Sequence, residues 1–81
     1  MCSYTTEKTL VNSSGKGQGG WFRLTTACVA YDHPYFTPAE RTVNIDFLDE
    51  AALPGARVAV ELSPESARAL VRCIEAALEA P

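Results

Sequence analysis

The side chains with reactive chemistry are few: the thiol of Cys2, the chain's one imidazole at His33, the carboxylates of Asp32 and Glu40, and the guanidinium of Arg41. A thiol, an imidazole and a carboxylate form a donor set for a transition metal, with Cys2, His33 and Asp32 as ligands. The same groups without metal suit acid/base work, with His33 as general base and Asp32 and Cys2 as further candidates. Cys2 has a further possibility. Removal of Met1 would leave an amine and a thiol on one residue, able to chelate or to act as an N-terminal nucleophile. Each residue also has a plainer reading: His33-Pro34 as a local loop cap, Asp32 as a turn former ahead of it, Glu40 and Arg41 as a solvated pair, Cys2 as a small strand residue.

These positions are scattered along the chain, so only particular elements can gather them. Strand-favouring residues from about 2 to 11 run into Asn12-Ser13-Ser14-Gly15, a cluster expected to break the strand. After a glycine-rich connection, 21–31 reads as a second strand with two mixed faces. Pro34 and Pro38 enforce a loop. Val43, Ile45 and Phe47 alternate with polar residues over 42–48, and Val58, Val60 and Leu62 do so over 56–62, two half-buried strands joined through Pro54-Gly55. Ser63-Pro64-Glu65 then opens a helix over 64–79: a capping serine, a proline where no donor is needed, and an acid at the positive end. Ala67, Leu70, Val71, Ile74, Ala77 and Leu78 form its apolar stripe, read as core.

The order ββββα with short connections predicts an α+β domain, a four-stranded antiparallel meander with one C-terminal amphipathic helix packed on one face. Alternating strand direction then brings Cys2, Asp32, His33, Glu40, Arg41 and the helix start to one rim. With Phe47 opposite Val58, Asn44 stands across from Glu61 and Asp46 diagonal to Arg57, so that Asn44, Asp46 and Glu61, with Glu40 and Arg41, are the candidate ligand contacts. A solvated charge ladder is the plainer alternative. Gly15, Gly17 and Gly20 match GxGxxG, but a strand rather than a helix follows, which points to a hairpin and not a dinucleotide site. Cys28 and Cys73 read as buried small hydrophobes.

The chain of 81 residues, 8.7 kDa and net charge -3 has room for one domain over 1–81. No apolar run reaches the ~18 residues of a membrane span, and the first residues lack an export pattern. Three cysteines without a pairing framework fit a reducing compartment, so a cytoplasmic protein is expected. Scattered basic residues in an acidic chain argue against nucleic acid. One helix about 10 Å wide covers roughly two strands, so the rest of the sheet calls for a partner, a homodimer being the expectation, with Trp21 and Tyr31 either its anchors or two residues that complete the core.

Met1-Cys2, Tyr4-Thr5-Thr6-Glu7, Gly15-Lys16-Gly17, Gly19-Gly20-Trp21-Phe22, Asp32-His33-Pro34, Asn44-Ile45-Asp46-Phe47 and 56–62 together resemble a family of small bacterial proteins of unknown function. The likeness covers nearly the whole chain and implies no activity. In that resemblance relatives often carry histidine where this chain has Arg41, so a two-histidine metal site does not carry over and Cys2, His33 and a carboxylate are left. The expectation is a small binding or accessory protein whose polar rim near Cys2 and His33 meets a small molecule or a protein partner. The alternative is a small enzyme using that rim as a transition-metal or acid/base site.

Overall fold

The computed structural model describes residues 5–52 and 57–80. Four strands, β1 (Thr5–Gly17), β2 (Gly20–Asp32), β3 (Thr42–Leu48) and β4 (Arg57–Leu62), form one antiparallel sheet in the order β1-β2-β3-β4. A short 3-10 turn, Glu50–Ala52, follows β3, and helix α1 (Pro64–Glu79) follows β4. This is the expected α+β meander with a C-terminal helix. The Pro54-Gly55 turn lies outside the described residues.

The first hairpin is longer than its sequence suggests. Asn12-Ser13-Ser14-Gly15 does not end β1, which continues to Gly17 across from Gly20. The pairing shifts between Leu10 and Ser13, so a bulge absorbs the irregular residues while β2 supplies an unbroken ladder. Beyond the bulge, the Ser13 hydroxyl donates to the Leu24 carbonyl at 3.1 Å. Position 15 is crowded, and an added Cβ would stand 2.8 Å from Leu24 Cδ1, so any side chain there makes its neighbour shift. Gly20, at φ 115°, closes the tight turn in a conformation that other residues rarely adopt.

Register assigns the two sheet faces by alternation. One carries Thr6, Cys28, Ala30, Asn44, Asp46, Ala59 and Glu61; the other carries Ala27, Val29, Tyr31, Val43, Ile45, Phe47, Val58, Val60 and Leu62. Fully buried side chains are few among the described residues: Leu24, Thr26, Ala27 and Thr42. The two buried threonines satisfy their hydroxyls, Thr26 against Thr25 Oγ1 at 3.3 Å and Thr42 by donating to Asn44 Oδ1 at 2.6 Å. Thr25 also meets the Leu48 carbonyl and the Glu50 amide, while Lys8 pairs with Glu50 at 2.7 Å. These bonds tie the 3-10 turn to the sheet.

The helix begins as its sequence dictates, with Ser63 Oγ accepting from the Ser66 amide at 3.1 Å. Its stripe is not core within one chain, however. Leu70, Val71, Ile74 and Leu78 are 42 % to 79 % exposed, and Cys73 is exposed rather than buried. Only Ser63 separates β4 from α1, shorter than the usual run of about 2–6 residues in such connections, and the helix approaches β3 and β4 without burying its stripe. None of the described helices is long and apolar enough to cross a membrane.

Candidate functional site

The loop between β2 and β3 starts where Asp32 ends its strand. The Asp32 carboxylate accepts from the His33 amide at 2.7 Å, and the His33 carbonyl accepts from Asn44 Nδ2 at 3.2 Å. Asn44 is therefore held from both sides, since its Oδ1 accepts from Thr42. His33 Nδ1 lies 3.5 Å from the Glu40 carbonyl, a weak contact. With the ring proton on Nδ1, Nε2 is left as an acceptor. The Arg41 guanidinium lies over the Tyr31 ring, 4.7 Å from its centroid.

The far side of the loop is fastened by Glu61. Its carboxylate accepts from three successive backbone amides: from Tyr35, from Phe36 at 3.1 Å and 3.3 Å, and from Thr37 at 2.8 Å. Bonds to the charged form favour it, so the Thr37 and Tyr35 amides, followed by that of Phe36, pull the Glu61 carboxyl down to about 2. The backbone is fixed while the aromatic rings face solvent: Tyr35 is 99 % and Phe36 90 % exposed. On β3 and β4, Asp46 pairs with Arg57 at 2.9 Å, the diagonal contact expected from the register.

Between this loop and the sheet lies an open depression of about 940 Å3. Asp32, His33, Asn44, Asp46 and Glu61 all line it. The strands thus bring the loop pair and the β3/β4 polar residues to one hollow. Glu40 and Arg41 are not among its lining; Glu40 reaches the site through its carbonyl and Arg41 is stacked on Tyr31. Cys2 lies outside the described residues, so the metal set Cys2-His33-Asp32 is represented only by its last two members. Among the described residues no three His, Cys, Asp or Glu side chains are grouped closely enough to hold a metal ion.

Sequence reasoning missed the aromatic pair and the work of Glu61. Tyr35-Phe36 stands between Pro34 and Pro38, and apolar rings in a proline-bounded loop were a legible sign of exposure. The Glu61 contacts, 24 to 26 residues distant, left no local sign. Cys28, half-buried, lines the hollow opposite Asp46 rather than filling a core.

Fold and site together define a small α+β domain whose meander carries an open polar hollow on one face and an apolar surface on the other. The chain belongs to a family of unknown function, DUF6295, whose model matches residues 1–81. No curated protein and no solved structure matches it.

Proposed function

We propose that the protein is a small binding domain whose hollow, between loop 33–37 and the polar sheet face, takes a small polar molecule with a planar part. The observation that supports this reading is the pair of exposed rings, Tyr35 and Phe36, held by Glu61 on the loop that borders a depression of about 940 Å3. Glu61 fixes the backbone that carries the rings, and the rings offer faces for stacking. Asn44 presents an amide, and Asp46 with Arg57 presents both charges, so polar groups of either kind find a complement. The volume is within the roughly 300–1,000 Å3 of small-molecule sites.

Amide chemical-shift mapping against a panel of aromatic carboxylates, amino acids and nucleobases tests the reading. Binding that shifts 33–37, Cys28 and Asn44 and is lost in Asp46→Ala supports it. Shifts confined to the opposite sheet face, or none across the panel, defeat it. Elemental analysis of untagged protein belongs beside this experiment: a stoichiometric metal lost in His33→Ala replaces the reading with a metal site.

A further inference from the structure

We infer that the apolar side of the molecule is an interface between two copies of this chain, in which the α1 stripe of each copy covers the apolar face of the other copy's strands. Two surfaces require cover. One is the sheet face bearing Val29, Ile45, Phe47, Val58 and Val60, none of them fully buried in the single chain. The other is the helix stripe of Leu70, Val71, Ile74 and Leu78. Within the chain α1 approaches β3 and β4 but leaves this stripe exposed.

The areas agree with a second copy. A compact monomer of 8.7 kDa exposes about 4,700 Å2 by the scaling of folded proteins. This chain exposes 6310 Å2. The excess is about 1,600 Å2 per chain, part of it from Trp21, Tyr35 and Phe36 outside the interface, so a pair has at most about 3,200 Å2 of it to bury, a ceiling inside the roughly 2,000–5,000 Å2 of obligate dimers. The radius of gyration, 13.6 Å, likewise exceeds the ~11.7 Å of a compact chain of this length. Lengths also agree: the 16 residues of α1 span about 24 Å and the seven of β3 about 23 Å. Reciprocal cover satisfies both surfaces at once around a two-fold axis and leaves nothing open for further growth. A membrane is a poorer occupant, because the outer side of α1 mixes Glu65, Glu75 and Glu79 with Arg68 and Arg72 instead of presenting a basic face. The hollow is lined mostly by the opposite sheet face, with Ile45 and Val60 common to both surfaces.

Light scattering of the full chain over a concentration series is the test, with Ile74→Glu in the stripe and Arg72→Gln outside it. The expected result is a mass of twice 8.7 kDa for wild type and Arg72→Gln, and association weakened about a hundredfold or more in Ile74→Glu. Hydrogen exchange of wild-type α1 amides supplies a readout that needs no variant: protection rises with protein concentration if a second copy covers the helix. A wild-type mass of 8.7 kDa at every concentration overturns the inference. So do assemblies larger than two, a dimer indifferent to Ile74→Glu, or exchange that ignores concentration.

Discussion

Glu61 shows how much one carboxylate can organise. A carboxylate has room for several donors, and three consecutive amides from the 35–37 segment converge on this one. Its folded-state value of about 2 lies below the ordinary 4.5, so its contribution to stability is complete above about 4.5 and is lost as the pH falls toward 2. Thermal melts between about pH 5 and 2 are expected to show this loss in wild type, and Glu61→Gln is expected to flatten that part of the profile. The variant also frees the loop: amides of Tyr35, Phe36 and Thr37 are expected to exchange faster, while those of the β1/β2 ladder do not. Unchanged exchange at those three amides would show that the loop is held by something else. His33, a few residues earlier, is positioned differently, through its backbone and the Asn44 amide, which explains why its ring remains exposed beside the hollow.

At the scale of the element, Gly15 is the crowded position of the long β1/β2 hairpin, paired with Phe22 in the ladder. Ala at this position gains about 0.4–1 kcal/mol from a stiffer unfolded chain. Against that, its Cβ meets Leu24 Cδ1 at 2.8 Å and Phe22 Cζ at 3.3 Å. Leu24 is one of the two fully buried hydrophobic residues described, so it has little space to yield, and overpacking typically costs 1–3 kcal/mol. Gly15→Ala is therefore expected to destabilise by about 1 kcal/mol, measured as a lower urea midpoint with unchanged slope. A higher midpoint would mean that Leu24 can move aside. The helix obeys the same local logic at its cap, but nothing in the cap dictates where the far end of α1 goes.

The whole molecule is set by the contrast between its two sheet faces. The polar face is dressed by its own loop and ion pairs; the apolar face and the helix stripe are not covered within the chain. Removing α1, with the chain ended after Ser63, is expected to leave the apolar strands open and to produce turbidity or large assemblies by light scattering. A truncated chain as dispersed and as stable as the full one would show that α1 has no part in covering the sheet.

The meander, the strand spacing, the helix limits 64–79 and the Phe47–Val58 register were legible in the sequence, because period-two alternation, proline punctuation and a capping serine are local properties. From that register the Asp46–Arg57 pair followed as well. The continuation of β1 past Ser13 was not legible, since a bulge is tolerated only when a neighbouring strand completes the ladder. Nor was the grip of Glu61 on loop 35–37, which depends on residues brought together across the sheet. The stripe on α1 reads as core in the sequence, yet within the chain it is exposed. The period of the residues marks an apolar face, but what covers that face depends on how the whole chain is laid out.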